Sequence, residues 1–276
     1  MAALSFRDGM NFQNLPEGLS VVRRAIIPKR PGEWVLSDFD FSKIEPRLLA
    51  YFASKKGDDT LAGFLRKGRD PYKIIVSGLY GKPEDDLTDR EYKDGKILFL
   101  SLVYGAGVKS VREAFGLTAP QAKHQIKQFH DAWPIVRELQ DDVVRIANRR
   151  GYIKTPWGRH LHLEEFGEHK LLNKLIQGSA AHMLKRGLIR TDRWLEEAGL
   201  QSQMILTIHD SIDFDGPIDE VDALHENVPR LMAGEPLIEA VVPILVEHEV
   251  SPLNWADKVP YYDWKESLGN SSSRAA

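Results

Sequence analysis

The sequence of 276 residues contains no cysteine. Disulfide frameworks and thiolate metal sites are therefore excluded, and this absence is typical of proteins from a reducing compartment. The sequence also lacks any apolar run that approaches the roughly 20 residues of a membrane-spanning helix, so no membrane partner is expected. An excess of positive charge is missing too. The formal net charge is −3, which argues against a simple basic nucleic-acid-binding protein.

Charge is nevertheless distributed unevenly along the chain. Residues 143–163 contain four arginines, one lysine and two histidines but no acidic residue, and Tyr152 and Trp157 lie among them. Residues 211–249 contain ten acidic residues and one arginine. Two interpretations stay open: two solvated faces of opposite charge, or a protein that touches a polyanion with one part only.

The hydropathy pattern predicts an α+β fold, with an antiparallel sheet backed by helices and a mostly helical insertion after the first strand. Residues 11–33 are interpreted as a loop or an edge strand. A capping box is predicted at Thr88 and Glu91. Predicted strands cover 34–41, 204–208, 212–214 and 241–250, and a hairpin is predicted over 151–163. Predicted helices cover 44–53, 71–79, 89–104, 108–115, 119–128, 134–149, 168–198 and 220–233.

Acidic residues interrupt two of the apolar strands. Asp38 and Asp40 lie in VLSDFDFSKIE, and Asp210 lies in LTIHDS. A buried carboxylate is costly unless it is paired or neutralised, and two carboxylates from adjacent strands can share hard divalent cations such as Mg²⁺. The alternative is that Asp210 closes a hairpin turn while Asp38 or Asp40 caps the next helix. Asp38 and Asp40 are two residues apart and face the same side of a strand, so periodicity cannot separate them.

A second unusual pattern lies on the helix DREYKDGKILFLSLVYG. Tyr92, Lys96, Leu100 and Tyr104 recur at every fourth position and therefore share one helical face. A lysine between ring and apolar surfaces could hold a phosphate while its neighbours hold a base or sugar. The alternative is a lysine that extends to solvent over ordinary core packing.

Several blocks resemble the motifs of family A DNA polymerases, the polymerase I family, in their order and spacing. The resemblance covers about residues 11–256. The motif A, B and C blocks are DFSKIEPRLLA, GKILFLSLVYG and LTIHDS. The remaining blocks are NFQNLP, RRGYIKTPWGR, NKLIQGSAAHM and VVPILVEHEVSPLNW.

This resemblance implies a palm-and-fingers core. The palm would consist of residues 11–53 and 151–262, and the fingers, mostly helical, of residues 54–150. Residues 263–276 are expected to form a disordered tail. Only ten residues precede Asn11, so we expect a core without thumb and exonuclease domains. Three explanations stay open: a separate chain supplies the thumb, the chain is a fragment, or the core is distributive. Leu100 is a variant associated with phage-like members, so a phage-like protein is expected. The expected location is the cytoplasm, in a bacterial host cell if the protein is phage-encoded.

The resemblance also implies residue roles. Asp40 and Asp210, with the backbone carbonyl of Phe41, would hold two Mg²⁺ ions, with Mn²⁺ as a substitute. Lys96 would bind the triphosphate of the incoming dNTP, and Glu45 would exclude a ribose 2′-hydroxyl. The implied nucleotide-binding residues are Lys43, Glu45, Tyr72, Tyr92, Lys96, Leu100 and Tyr104. The implied contacts to primer–template DNA are Arg149, Arg150, Thr155, Arg159, Asn173, Gln177 and His209.

Four positions depart from the family pattern. Tyr92 stands where the family often has arginine, with Arg90 or Lys93 as candidate replacements. Family members have histidine where this chain has Tyr72, an aromatic residue in place of Leu100, and glutamate in place of Ser211. Asp213 is a candidate to compensate for Ser211. Asp38 has no assigned role.

Three functions are therefore compared. The first is a template-directed DNA polymerase core that works by two-metal phosphoryl transfer. The second is a non-catalytic or partner-dependent nucleic-acid-binding subunit of a split polymerase. The third sets the resemblance aside and is a metal-dependent phosphohydrolase that uses Asp40, Asp210 and His209.

Overall fold

The computed structural model describes residues 20–162, 167 and 170–274. The NFQNLP block and Leu163 lie outside these residues. The helices are α1 Ser20–Arg24, α2 Ile44–Ser54, α3 Thr60–Arg66, α4 Pro71–Tyr80, α5 Asp89–Val103, α6 Val108–Phe115, α7 Ala119–Ala132, α8 Ile135–Arg150, α9 Leu171–Ala198, α10 Val221–Ala233, α11 Pro236–Glu239 and α12 Tyr261–Arg274. The strands are β1 Trp34–Ser42, β2 Tyr152–Lys154, β3 His160–His162, β4 Gln203–Ile208, β5 Ser211–Pro217, β6 Leu245–Ser251 and β7 Val259–Pro260.

The described residues divide into two compact units. The sheet unit comprises the chain up to Lys43, Ala180–Pro236 and the chain from Ile244, and the helical unit comprises Ile44–Ser179 and Leu237–Pro243. The helix α2, the β2–β3 hairpin and the start of α9 therefore belong to the helical unit. The palm and fingers boundaries drawn from the resemblance stay a prediction.

Five antiparallel strands form the sheet of the sheet unit, in the order β4-β5-β1-β6-β7. The α+β class and the antiparallel sheet predicted from the sequence are confirmed. β1 is the central strand, and its alternating side chains serve both faces of the sheet. One face carries Phe39, whose ring meets Phe214 edge-on at 5.4 Å and stacks on His248 at 4.0 Å.

The same face continues into an apolar cluster formed with α10 and α12. Its buried members are Val35, Val221, Val250, Tyr261 and Trp264. Because Trp264 is buried and the Tyr261 hydroxyl donates to Asp222 Oδ1 at 2.8 Å, α12 is anchored to α10. The disordered tail expected over 263–276 is therefore wrong for the described residues up to Arg274, which lie in α12. Composition missed the two aromatic anchors.

The opposite face of β1 is apolar at one end and acidic at the other. Leu36 packs with Trp255 in a small cluster that Val22 and Ile26 complete. Asp38 and Asp40 follow on the same face toward the end of the strand. Asp38 and Asp40 therefore lie on this face beyond the apolar cluster of Leu36 and Trp255.

In the helical unit, local signals determine where the helices begin. Thr88 forms the predicted capping box with Glu91 at the start of α5, and Thr118 forms a second one with Gln121 at the start of α7. α4 and α5 pack closely at Gly95, which has no side chain. A Cβ atom there would lie only 2.6 Å from the Tyr72 carbonyl oxygen. Within the described residues, no helix combines the length and the hydropathy that crossing a membrane requires.

Most predicted elements agree with the structure to within a few residues. The short helices α1, α3 and α11 and the strand β7 were missed. α1 and α3 have five and seven residues, which is too short for a helical period to be recognised against loop composition. Residues 20–24 accordingly form a helix within a segment that was expected to be a loop or an edge strand.

Candidate active site

Asp40 and Asp210 are brought together by strand pairing in the sheet unit. Asp40 lies opposite Ser211 in the β1–β5 register, and Asp210 immediately precedes Ser211. Paired residues of antiparallel strands have Cα atoms about 4.5–5.5 Å apart. Two carboxylates that are 170 positions apart in the chain are therefore neighbours at one end of the sheet.

The turn that carries Asp210 is a two-residue hairpin loop. Ile208 pairs with Ser211, which leaves His209 and Asp210 as the loop. His209 has φ 55°, in the left-handed region that tight hairpin turns require. The Ser211 hydroxyl donates to the Ile208 carbonyl at 3.1 Å and closes the loop. Asp210 does sit in a turn, as the alternative supposed, but α2 begins at Ile44, so neither Asp38 nor Asp40 caps it.

The donors at this end of the sheet fit a hard divalent cation. Asp40 is exposed and Asp210 half-buried, so both carboxylates can reach solvent. The β1–β5 register ends at Asp40, and Phe41 lies one residue beyond it. No group of three or more His, Cys, Asp or Glu side chains within the described ranges is arranged to hold a metal. Mg²⁺ needs only one or two carboxylates when water and substrate phosphates complete its coordination.

The junction between β1 and α2 has an unusual backbone. Lys43 has φ 54°, a conformation that residues other than glycine seldom adopt. Because the chain turns sharply at Lys43, α2 starts at once and Glu45 falls in its first turn. A carboxylate there is favoured by the helix dipole.

The face of α5 that carries Tyr92, Lys96, Leu100 and Tyr104 is the less buried side of the helix. Lys96 is exposed, whereas Tyr92, Leu100 and Tyr104 are half-buried. The buried face of α5 consists of Gly95, Leu98, Phe99, Leu102 and Val103. Lys96 therefore projects from α5 on the side away from these core contacts.

Tyr104 and Glu45 are close to each other in the helical unit. The Tyr104 hydroxyl oxygen is buried and has no hydrogen-bond partner of ordinary geometry among the described residues. Burial, followed by the charge of the nearby Glu45 carboxylate, raises the pKa of Tyr104 well above its ordinary value. Tyr104 therefore stays a neutral phenol next to a half-buried carboxylate.

Tyr72 and Tyr92 stand at two of the positions that depart from the family pattern. Both are hydrogen-bonded to Asp70 at the start of α4. The Tyr92 hydroxyl donates to Asp70 Oδ2 at 3.0 Å, and the other Asp70 oxygen caps α4 through the Tyr72 amide. Tyr72 is only 3% exposed, and its ring packs edge-on against Tyr92 and Phe99. Tyr72 thus packs against the ring of Tyr92. Its burial does not favour the direct nucleotide contact that the resemblance implies for Tyr72.

The candidate DNA contacts lie at α8, the hairpin and α9. Arg149, Arg150 and Arg159 are exposed. Thr155 is 3% exposed and its hydroxyl accepts the Arg159 amide at 3.2 Å, so it forms the hairpin turn and is poorly placed for the predicted DNA contact.

Asn173 and Gln177 are one turn apart on α9 and half-buried. A Cβ atom at Gly178 would lie 3.1 Å from Leu161 Cδ1, so this part of α9 passes close to the hairpin. The buried Asn173 Oδ1 has no hydrogen-bond partner in the described part of the chain.

Sequence reasoning missed two polar side chains next to the candidate residues. Gln140 on α8 donates to the Val103 carbonyl at 2.8 Å and the Leu102 carbonyl at 3.2 Å, and so satisfies carbonyl groups at the C-terminus of α5 just before Tyr104. Glu247 lies opposite Asp40 on β6. The alternation of Glu247 and Glu249 in the last strand was a usable signal, whereas nothing in the sequence marks Gln140.

The position of Asp213 does not favour the compensation for Ser211 for which it is a candidate. Asp213 is 1% exposed and lies two pairs further along the sheet than Ser211, opposite Asp38. Lys258 Nζ contacts both Asp38 and Asp213, which gives Asp38 a partner that the sequence did not suggest.

Comparison with known proteins shows the family of this chain. The family model for DNA polymerase family A matches residues 4–257. DNA polymerase I of Geobacillus stearothermophilus is 29% identical over 260 residues, which are 90% of this chain and 29% of that protein. DNA polymerase I of Chloroflexus aurantiacus is 28% identical over 263 residues, covering 91% of this chain and 27% of that protein. The chain thus spans less than a third of the length of these relatives.

A solved structure shares the fold. It is described as the POL domain of Pol1 from M. smegmatis in complex with DNA primer-template and dNTP. The TM-score is 0.79 and the identity 29%, with 89% of this chain and 44% of that chain covered. The chain therefore belongs to DNA polymerase family A.

Proposed function

We propose that this chain is the polymerase core of a template-directed DNA polymerase, which adds deoxynucleotides to a primer 3′ end. The observation that carries the proposal is the β1–β5 register, which sets Asp40 beside the turn that holds Asp210. The M. smegmatis structure, whose description names DNA primer-template and dNTP, supports the same ligand classes for this chain.

Asp40, Asp210 and the Phe41 carbonyl would hold two Mg²⁺ ions, for which Mn²⁺ would substitute. When bound, such an ion pair activates the primer 3′-hydroxyl and neutralises the leaving pyrophosphate. The exposure of Asp40 and the half-exposure of Asp210 support this role, because Mg²⁺ keeps waters and substrate phosphates in its coordination shell.

In the helical unit, Lys96 would bind the triphosphate as a point charge, and Leu100 and Tyr104 would offer apolar and ring surface to the base and sugar. Glu45 would occupy the space that a ribose 2′-hydroxyl needs. Glu45 lies beside the neutral Tyr104 phenol. This position supports that role, because the phenol places no second negative charge next to the Glu45 carboxylate. Arg149, Arg150 and Arg159 would contact the DNA backbone, where release of counterions supplies affinity.

Primer extension with Mg²⁺ and all four dNTPs tests the proposal. The wild-type chain should extend a primer in a template-dependent manner. Asp210→Asn should lower the rate by about a thousandfold or more, because metal-assisted charge stabilisation supplies several kcal/mol in such reactions. The exposed Asp219 of the sheet unit provides a matched control, and Asp219→Asn should retain the wild-type rate.

Absence of extension at high enzyme concentration and low salt, with Mg²⁺ or Mn²⁺, would contradict the proposal. Stoichiometric DNA binding without turnover would instead indicate a nucleic-acid-binding subunit. Release of phosphate from nucleotides without a template would indicate a phosphohydrolase.

A further inference from the structure

The acidic face of the sheet carries its side chains in two parallel rows. Residues directly paired across antiparallel strands project to the same face, so the register defines each row. The outer row contains Asp40, Ser211 and Glu247, and the inner row contains Asp38, Asp213 and Glu249. Asp210 adjoins the outer row, and under the proposed function the metal ions belong there.

The inner row already has a cation from the chain itself. Lys258 Nζ contacts Asp38 Oδ2 and lies 3.1 Å from Asp213 Oδ1. The indole Nε1 of Trp255 donates to the same Asp213 oxygen at 2.8 Å. The ammonium group also lies 5.0 Å from the centre of the Trp255 ring, which is a favourable cation–π distance.

This cluster is shielded from solvent. The side chains of Asp38 and Lys258 are each 15% exposed, and that of Asp213 is 2% exposed. Asp38 Oδ1 and Asp213 Oδ2 are buried without a hydrogen-bond partner among the described residues. Burial, and then the charge of Asp38, raises the pKa of Asp213, while Lys258 acts in the opposite direction. Two buried carboxylates would therefore be unstable as a charged pair without Lys258.

We propose that Lys258 is the internal counter-ion of Asp38 and Asp213, and that by compensating part of their negative charge it confines divalent cations to Asp40 and Asp210. Lys258 is thus a positioning residue that acts through these two carboxylates. The assignment of the ions to the outer row rests on the proposed function.

Charge compensation can be separated from packing with two variants. Lys258→Met removes the ammonium group and keeps an apolar stem against Trp255. The triple variant Asp38→Asn, Asp213→Asn and Lys258→Met also removes both carboxylate charges. Lys265→Met is the matched control, because Lys265 forms an exposed ion pair with Asp222 in the same unit.

Mn²⁺ titration followed by electron paramagnetic resonance, without DNA or nucleotide, counts bound ions. Lys258→Met should bind about one Mn²⁺ more than the wild type, because two uncompensated carboxylates suffice for a hard cation. The triple variant and Lys265→Met should return to the wild-type count. Equal counts in Lys258→Met and the wild type would overturn the proposal.

Thermal unfolding of the metal-free proteins gives a second readout. Lys258→Met should melt below the wild type, and the triple variant should recover most of the loss although it lacks Lys258. If Lys258→Met does not fold while the triple variant does, charge compensation is supported. A triple variant as unstable as Lys258→Met would show that Lys258 acts by packing and would overturn the proposal.

The effect on the reaction is measured separately. Lys258→Met should change the Mg²⁺ concentration for half-maximal primer extension by about 10- to 100-fold, the range seen when groups supporting a metal site are removed. The triple variant should restore it. If the wild type extends no primer, the proposed function fails, whereas the Mn²⁺ counts of the two variants still test the counter-ion.

Discussion

At the scale of single residues, Asp38 and Asp40 show how one strand gives two identical side chains different environments. Both project from the same face of β1. Asp40 is exposed at the end of the β1–β5 ladder, whereas Asp38 contacts Lys258 beside the apolar cluster of Leu36 and Trp255. Their surroundings differ because the chain after Trp255 brings Lys258 to the inner row and not to the outer one.

Glu45 supports a prediction about sugar selectivity. Its carboxylate lies beside the buried Tyr104 hydroxyl, where it would meet a ribose 2′-hydroxyl. Glu45→Ala would open this space, so the preference for dNTP over rNTP should fall by about 10- to 200-fold, the usual value of one small group in a pocket. Single-nucleotide incorporation with each sugar measures the ratio of the two kcat/KM values.

A glutamate elsewhere in the helical unit provides the control for this experiment. Glu113 is exposed on α6, so Glu113→Ala should keep the wild-type ratio. An unchanged ratio in Glu45→Ala would refute the sugar-selecting role.

At the scale of elements, the α4–α5 pair holds the helix that carries Lys96. Gly95 permits the close approach, because a Cβ atom there would meet the Tyr72 carbonyl oxygen at 2.6 Å and Val76 Cβ at 2.9 Å. Gly95→Ala should therefore destabilise the protein by about 1–3 kcal/mol through overpacking, which exceeds the gain of about 1 kcal/mol in helix propensity. Urea unfolding measures the difference.

The partner helix contains a matched control for Gly95. Gly78 lies within α4, and a Cβ atom there would have no heavy atom within 4 Å. Gly78→Ala should stabilise the protein by about 0.5–1 kcal/mol. Equal stability of the two alanine variants would show that the Gly95 contact does not limit the approach of the helices.

At the scale of the whole molecule, the charge asymmetry of the sequence follows the division into units. The basic residues of 143–162 lie in the helical unit, and the acidic residues of β5, α10 and β6 lie in the sheet unit. Asp213 is among these acidic residues, and Lys258 compensates part of its charge. Glu239 is an exception, because it lies in the helical unit.

Global stability should fall at acidic pH because of a buried histidine. His248 is 7% exposed, stacks on Phe39 and lies with its Nδ1 3.1 Å from Nδ1 of His225. Burial, and then the charge of His225, lowers the pKa of His248 to about 3. The unfolded chain binds this proton near pH 6.5, so the stabilising contribution is complete above about pH 6.5 and is lost as the pH falls toward about 3.

His248→Phe isolates this contribution, because phenylalanine keeps the stacked ring but cannot be protonated. Between pH 6.5 and pH 4, the wild type should lose up to about 1.4 kcal/mol per pH unit relative to the variant. Unfolding free energies of both proteins at several pH values give the comparison. Parallel pH curves would contradict the assignment, and carboxylate titration common to both proteins cancels in the difference.

Local sequence signals were sufficient for most elements of the fold. The capping box at Thr88, the turn at His209 and the apolar run of β1 depend on residues within a few positions of each other. The tail was mispredicted because its polar composition hid Trp264, which packs in the cluster that contains Val221 of α10. The resemblance located the candidate site residues, but it did not show that Thr155 and Tyr72 are buried.

The sequence by itself determined the family, the order of the elements and the two acidic positions at the ends of strands, because motif spacing and short-range periodicity are written along the chain. Only the tertiary structure decided which carboxylates are neighbours and that Asp38 and Asp213 share Lys258. Strand pairing places Asp40 next to the Asp210 turn, and the chain after β6 brings Lys258 to Asp38 and Asp213. Asp40 and Asp210 are 170 positions apart, and Lys258 is 220 positions from Asp38 and 45 from Asp213, and no local pattern encodes such distances.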